Sequence, residues 1–504
     1  MNYPRMTAAE AAALIPREGL LGISGFARAG AAKAVPRALA ALAAAARHSQ
    51  TPYRLRIITG ASTGPDTDDA LAEAGAIVWR APYQTSLILR KQINAGETDF
   101  VDFHLSRGPE FLSGGCLGVL KIALIEASEI TADGRVLLTS SVGISPSLLQ
   151  CADKVIIEVN RHHPPAASAM ADITILPFPQ RRHVLDIRTP NARVGLTYAQ
   201  VDPRKVVAVV ETNAPDDVLP FAMPDHCSRG IAEHVVRFLL DEMSAGRVPS
   251  EFLPLQSGVG NVANAVMRGL GDNRDVPAFE MYTEVLQDAV VDLIRAGRCR
   301  SASTSSLTVT SPYLQQIYGD LEFFTPRIIL RPQEISNHPG IVRQLGVIAM
   351  NTALEADIYG HVNSTHVCGT QMMNGIGGSS DFAQNAHLSI FMCPSVAKGG
   401  RISAIVPMCS HVDHSEHSVD VIVTEQGLAD LRGHPPAERA RRIIEKCAHP
   451  AYRDYLQRYV RDGRVGHIRH SLNSCFELHE NLLNTGAMLP GIDLSSFGKD
   501  CTGT

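Results

Sequence analysis

Four stretches of this chain hold residue types able to do chemistry. The densest is residues 408–420, MCSHVDHSEHSVD, where His411, His414 and His417 stand three apart among Cys409, Asp413, Glu416 and Asp420. A helix would fan the three imidazoles over about 120° and a strand would alternate their faces, so only a loop converges them on one ion. The second is residues 281–294, MYTEVLQDAVVDLI. Val285, Leu286, Val290, Leu293 and Ile294 fall on one helical face, and Thr283 is a natural N-cap, which predicts Glu284 in the first turn of a helix. The macrodipole there favours the ionised carboxylate, and an ionised, oriented carboxylate is a nucleophile. An ordinary first-turn glutamate that only stabilises its own helix has the same pattern.

The other two stretches are glycine-bearing. Residues 256–266, QSGVGNVANAV, place glycines before a helical pattern, where free N–H groups suit a phosphate or an oxyanion. Read as G-x-G-x-x-A, with Glu280 or Glu284 as ribose acid, this is a dinucleotide fingerprint. It also reads as a plain turn, or as another anion or coenzyme site. Pro254 just upstream argues against a central strand leading into it. Residues 374–382, NGIGGSSDF, put three glycines in four positions, which suits positive φ or an N–H aimed at a ligand, and equally a tight turn capped by Asp381. A further glycine turn, residues 60–64, follows a strand pattern, where α/β sheets place ligands.

Positioning such loops takes a scaffold of two domains, the default for 504 residues. Buried-strand patterns at 55–59, 120–126, 155–159 and 206–210 alternate with amphipathic stretches, and more follow at 327–330, 345–349, 402–406 and 419–424. Helical patterns cover 228–245 and 437–446. The polar, proline-bearing residues 211–220 mark a boundary, giving α/β domains at 1–220 and 221–504. The net charge of −5, from 46 basic and 51 acidic residues without a basic block, speaks against nucleic acid. Ten cysteines without a C-x-x-C pair fit a reducing compartment. The alanine-rich run 38–46, framed by Arg37 and Arg47, is about half a membrane span, and the N-terminus lacks an apolar core followed by a cleavage site. A cytoplasmic protein without membrane contact is expected.

Together these motifs resemble the family of acetyl-CoA hydrolases and CoA-transferases. The likeness runs in order through SGF at 24–26, TGASTG at 59–64, RAPYQT at 80–85, LQSGVGN at 255–261, YTEVLQD at 282–288, RPQEISN at 331–337, NGIGGS at 374–379 and VTEQGLADLRG at 423–433. It implies two open α/β domains of the CoA-transferase type with the active site between them. It implies that Glu284 is the nucleophile and carries coenzyme A as a glutamyl thioester, with no permanently bound cofactor. Asn337 would donate to one oxyanion, and the Gly378 N–H with the 258–260 loop to the other. Gln256, Ser257, Gly258, Val259, Gly260, Asn374, Gly378 and Lys398 would touch coenzyme A, as would Leu354, and Glu425 would be a second active-site carboxylate. The implied partners are an acyl-CoA and a short carboxylic acid, with propionyl-CoA and succinate favoured by the phrases at 281–287, 406–419 and 478–489. Transfer between succinyl-CoA and acetate, and acetyl-CoA hydrolysis, are the alternatives. A homodimer or larger homo-oligomer is implied as well.

This resemblance removes the need for a metal at 409–417, because the glutamyl route uses no Lewis acid; a metal-binding or nucleotide-sensing regulator on the same fold is the distant alternative. Three positions depart from the family pattern. Ser380 replaces a glycine, which predicts a less permissive backbone beside Gly378. Ile144 replaces an asparagine, and residues 27–33 replace T-P-A-G-x-P-K. If the last two face the acyl pocket, acid selectivity changes with them.

Overall fold

The computed structural model describes residues 3–179, 184–220 and 224–491. The first sheet is built from β1 (Glu18–Ile23), β2 (Arg54–Ile58), β3 (Ile77–Ala81), β4 (Asp99–Phe100), β5 (Leu120–Ile130), β6 (Arg135–Leu138), β7 (Lys154–Asn160), β8 (Ala199–Gln200) and β9 (Val206–Thr212). Its parallel spine runs β4-β3-β2-β1-β5-β7-β9, and β6 and β8 extend antiparallel from β5. The near-continuous aliphatic runs of β5 and β7 are explained by burial on both faces, as parallel sheets require. Helix α1 (Ala34–Ala46) covers one face with Val35, Leu39 and Ala43. Its alanines let the helix lie close, and Glu158 on β7 accepts from the N–H groups of Lys33, Ala34 and Val35 at its start.

The second sheet takes β10 (Leu255–Ser257), β11 (Phe279–Tyr282), then β13 (Cys299–Thr304), β15 (Ile328–Leu330), β16 (Ile348–Thr352), β17 (Leu388–Met392), β18 (Val421–Thr424) and β19 (Gly427–Asp430). The intervening β12 (Val285–Leu286) and β14 (Ser306–Leu307) pair only with each other. The order is β15-β13-β11-β10-β16-β17-β18-β19, parallel except for the last pair. Helices α2 (His226–Ser244) and α3 (Asn261–Asp272) pack on each other, and Ile231, Val235 and Leu239 of α2 meet Val266 and Leu270 of α3 in the main core.

Several sequence expectations change here. Residues 251–255 do lead into a central strand. Pro254 sits at its doorstep, where its missing N–H is not needed and its carbonyl accepts from Ile348. Leu345 ends the helix Pro339–Leu345, so the strand expected at 345–349 begins at Ile348. Residues 402–406 are not one strand but two short ones, Ile402–Ser403 and Ile405–Val406, in separate small sheets. The helices expected at 228–245 and 437–446 are present as His226–Ser244 and Pro436–Lys446. Among the described residues no helix is long and apolar enough to cross a membrane.

The two sheets are stitched together. Val142 N–H donates to Ser305 O at 3.0 Å, Leu307 N–H to Ser140 O at 2.8 Å and Gln333 N–H to Gly143 O at 3.0 Å. A fully buried Arg331–Asp172 ion pair bridges the same seam. In each sheet the strand order reverses once, between β1 and β5 and between β10 and β16, and the carboxyl ends beside those reversals open into one shared crevice.

Candidate active site

The crevice is a cavity of about 370 Å³. From the first sheet it is lined by Ala27 and Arg28 beyond β1, Ala61 and Ser62 beyond β2, and Tyr83 and Thr85 beyond β3. From the second come Gln256, Ser257, Gly258 and Val259 at the end of β10, Glu284 beyond β11, and residues 374–379.

Glu284 does not open a helix. It stands in the bend between β11 and β12, and the helix begins only at Asp288. The apolar spacing that mimicked one helical face is composite: Val285 and Leu286 pair with β14, whereas Val290, Leu293 and Ile294 belong to α4 (Asp288–Arg295). Thr283 is not a cap either. Its hydroxyl donates to Ser257 O at 3.2 Å and lies 3.3 Å from the Ser257 N–H, tying the residue before Glu284 to the β10 loop. The Glu284 carbonyl accepts from Thr304 Oγ1 and from the Ser305 N–H, each at 2.9 Å, so the backbone under the carboxylate is held on both sides.

Among the described residues the carboxylate itself accepts from one side chain, and that donor is neutral. Asn337, at the end of the short helix α5 (Gln333–Ser336), donates its amide to Glu284 Oε2 at 2.6 Å. Burial pushes the Glu284 carboxyl up, the Asn337 bond pulls it down, and the nearby Asp381 charge adds to the rise, leaving it at about 7. Asp381 lies in α6 (Ser379–Ala383) and caps no turn. It accepts from the Ser106 N–H at 3.1 Å and Ser106 Oγ at 2.7 Å, lies 3.2 Å from His104 Nδ1, and approaches the Asn337 amide at 3.4 Å. The contact holds His104 above its ordinary value, chiefly through the hydrogen bond to Asp381.

Gly378 shows why glycines crowd residues 374–378. A Cβ there would stand 1.8 Å from Glu284 Oε2 and 2.5 Å from Asn337 Nδ2. Its own φ of −89° is ordinary, so close approach, not backbone conformation, demands glycine. Gly375 and Gly377 do adopt positive φ, 150° and 59°. Ser380 adopts ordinary helical geometry inside α6 and accepts from Gln384 Nε2 at 2.8 Å, so the backbone restriction expected from this substitution does not arise.

The β10 loop divides its groups between scaffold and cavity. Gln256 is buried in a reciprocal amide pair with Asn351, at 3.1 Å in both directions, and also accepts from Met350 N–H. The Gly258 N–H donates to Met350 O at 2.9 Å, so it is not available to an oxyanion. Val259 borders the cavity, half-exposed, and Gly260 opens α3 at φ 123°. Asn374 lines the opposite side, its carboxamide 3.4 Å from Tyr83 Oη, and burial pushes the Tyr83 phenol up to about 12.

Five expected site residues are not among those lining the cavity: Asn337 reaches it through Glu284, Gly260 follows the lining residue Val259, and three stand apart. Glu425 accepts from the Ser395 N–H at 2.8 Å, from Ser395 Oγ and from Gln426 Nε2 at 3.0 Å, and so holds a turn. Lys398 is an exposed residue of the turn between the short strands Val396–Ala397 and Ile402–Ser403. Leu354 is exposed too, with its N–H on Asn363 O. The three histidines diverge: His411 stacks against His366 at 4.1 Å, His417 is exposed, and His414 is buried on Phe391. That loop reaches the site through His414, whose Nε2 lies 3.2 Å from Ser379 Oγ, and burial depresses its imidazole to about 4.

Among the described residues one set of groups has metal-binding proximity: Glu126, His163 and Asp216. Lys33 already fills it, its Nζ 2.6 Å from Glu126 and 3.0 Å from Asp216. Of the departing segments, Ala27 and Arg28 border the cavity, whereas Ile144 is buried in the main core. Tyr83 and Asn351 are site residues that pattern reading did not single out, while Arg28 entered only within the departing segment 27–33 and Asp381 only as a turn cap. The signal available for Tyr83 was its place in RAPYQT at 80–85, and for Arg28 its place just after SGF at 24–26.

Beside this geometry stand the comparisons with known proteins, and they show that the chain belongs to the acetyl-CoA hydrolase/transferase family. Residues 1–211 match the acetyl-CoA hydrolase/transferase N-terminal domain and residues 314–460 the C-terminal domain. The chain is 54% identical over 97% of its length to the propanoyl-CoA:succinate CoA transferase of Escherichia coli, covering 99% of that protein. It is 43% identical over 96% of its length to the succinyl-CoA:acetate CoA-transferase of Clostridium kluyveri, covering 90% of it. The fold is shared with a 4-hydroxybutyrate CoA-transferase from Porphyromonas gingivalis at a TM-score of 0.61 and 20% identity, over 91% of this chain and 97% of that one.

Proposed function

We propose that this enzyme moves coenzyme A from propionyl-CoA to succinate, releasing propionate and succinyl-CoA, through a thioester on Glu284. The carrying observation is the Glu284 carboxylate held by the Asn337 amide at 2.6 Å, against a glycine that leaves no room for a Cβ. The identity to the E. coli relative supports the choice of acids.

An ionised Glu284 oxygen attacks the propionyl carbonyl carbon. The tetrahedral oxyanion collapses, the C–S bond breaks, and CoA thiolate leaves behind a glutamyl–propionyl anhydride. The thiolate attacks the glutamyl carbonyl, propionate departs, and the glutamyl-CoA thioester remains. Succinate then attacks that thioester, thiolate leaves again, and its attack on the succinyl carbonyl of the second anhydride yields succinyl-CoA and restores the carboxylate. Asn337 Nδ2 stands where the oxyanion on the glutamyl carbon forms. The N–H groups of Val259, Gly260 and Gly378 serve the oxyanion on the substrate carbon, in place of Gly258. A pKa near 7 suits both roles of the carboxylate, ionised enough to attack and not so stabilised that it is inert.

The coenzyme A chain lies along the loops of 256–260 and 374–378. The two domains divide at about residue 220, as the polar, proline-bearing 211–220 suggests; cysteine usage supports the cytoplasm, and the family resemblance supports a homodimer or larger homo-oligomer. Initial rates with propionyl-CoA and succinate varied together test the reaction. Parallel double-reciprocal lines with stoichiometric succinyl-CoA are expected. Intersecting lines refute the enzyme-bound intermediate, and propionyl-CoA loss independent of added acid makes the chain a hydrolase.

A further inference from the structure

The reaction above needs one carboxylate at Glu284 and no fixed cation. Yet the residues lining the cavity include one charged side chain of each sign, Glu284 and Arg28. The guanidinium is presented deliberately. Arg28 sits in a tight turn closed by reciprocal Phe26 and Ala29 backbone bonds of 2.9 and 3.1 Å, and its N–H donates to Ser62 O at 2.9 Å. Ala27 and Arg28 both hold left-handed φ, 50° and 72°, a conformation that costs side-chain-bearing residues free energy and persists where surrounding structure imposes it. The stem crosses Gly64, where a Cβ would lie 3.7 Å from Arg28 Cγ. One nitrogen, Nη1, is engaged with Asp217, at 3.1 Å to Oδ2 and 3.4 Å to the carbonyl. That leaves the Nε and Nη2 donors of a rigid fork for a ligand.

A monocarboxylic acid, the propionyl donor included, gains nothing from such a cation, since its methyl or ethyl tail cannot bond a guanidinium that stays hydrated and held by Asp217. For a dicarboxylic acid the same group is a partner: while one carboxylate reacts at Glu284, the other gains charge-assisted hydrogen bonds in a walled site. Val218 and Leu219, which also line the cavity, offer apolar surface to the methylenes between the two ends. We propose that Arg28 binds the distal carboxylate of a four-carbon dicarboxylic acid and thereby selects succinate over monocarboxylic acids as acceptor. This rests on the transfer reaction proposed above and extends it to the residue that sets acid choice. No covalent step is added.

The test measures kcat/KM for succinate, acetate and monomethyl succinate as acceptors from propionyl-CoA. In the unmodified enzyme, monomethyl succinate, equal in length but neutral at its far end, should fall about 50-fold below succinate. In Arg28→Gln the succinate-to-acetate ratio should drop by about the same factor, through the KM for succinate, and Arg28→Lys should recover part of it because the charge survives without the fork. An unmodified enzyme that uses monomethyl succinate as well as succinate overturns the proposal, whether or not any variant folds. So does an Arg28→Gln enzyme with an unchanged ratio, or one whose KM for propionyl-CoA rises instead, which would place Arg28 on a coenzyme phosphate. Formation of the Glu284 thioester from propionyl-CoA is read separately, and its absence refutes the transfer reaction itself.

Discussion

Two buried acid clusters in this molecule use the same residue types to opposite ends. Around Lys33, the carboxylates of Glu126 and Asp216 share one ammonium, with His163 3.5 Å from Glu126. Burial is the largest influence on Asp216 and pushes it up, but the Lys33 and His163 charges together with the Ser140 and Lys33 hydrogen bonds outweigh it and hold the carboxyl below its usual range, while Lys33 is itself raised. Around Glu284 no cation intervenes. Asn337 is neutral, Asp381 adds a second negative charge, and the carboxyl climbs to about 7. Glu158, near the first cluster but bonded to backbone N–H groups, is also raised, by burial first. The partner's charge, not depth alone, separates a clamp from a nucleophile: an ammonium would lock Glu284 as a stable anion, whereas an amide orients it and leaves its electrons available.

The contrast can be broken in four ways. Lys33→Met strands two buried carboxylates without a counter-charge and should cost about 3–5 kcal/mol of stability, read from the urea midpoint. A loss under about 1 kcal/mol would mean the clamp is not one. Asn337→Ala should lower kcat on the order of 100-fold with far less effect on unfolding, because it removes an oxyanion donor. Glu284→Gln sharpens the comparison through stability. The folded pKa of about 7 lies above the ordinary 4.5, so the favourable contribution of the protonated acid is complete below pH 4.5 and lost as pH rises through 7. The variant should therefore match the parent protein near pH 4 and exceed it by about 3 kcal/mol at pH 8 in thermal or denaturant unfolding. Smallest is Asp381→Asn. Removing that charge should shift the acidic limb of the kcat/KM profile, expected near pH 7, downward by less than about one unit, since Asp381 is the lesser of the two raising causes.

The parallel strands were legible because double-sided burial leaves unbroken aliphatic runs, and 120–126, 155–159 and 206–210 carry them. Glu284 was legible as a residue but not in its setting. Two strand positions followed by a helix start reproduce a 3.6-residue period over a short window, and periodicity cannot separate the two. Gly378 was visible as an expensive glycine, yet the atom it makes room for lies 94 positions away in sequence, the separation of 284 from 378. Glu425 shows the converse. Its motif is strong, yet no sequence pattern told that its carboxylate would be bonded to Ser395 and Gln426 in a turn. Asp381 bonds across the seam to Ser106 and Arg28 lines a cavity that both sheets share, and single-sequence patterns carry no information on which loops meet there.

The central claim is that Glu284 becomes covalently joined to coenzyme A. Purified enzyme mixed with propionyl-CoA, without acceptor, should be reduced with borohydride, digested and read by peptide mass analysis. The peptide containing residues 281–287 should then carry Glu284 reduced to its alcohol, in proportion to activity lost. An enzyme that is inactivated with Glu284 intact, or that stays fully active after the same treatment, would contradict the account.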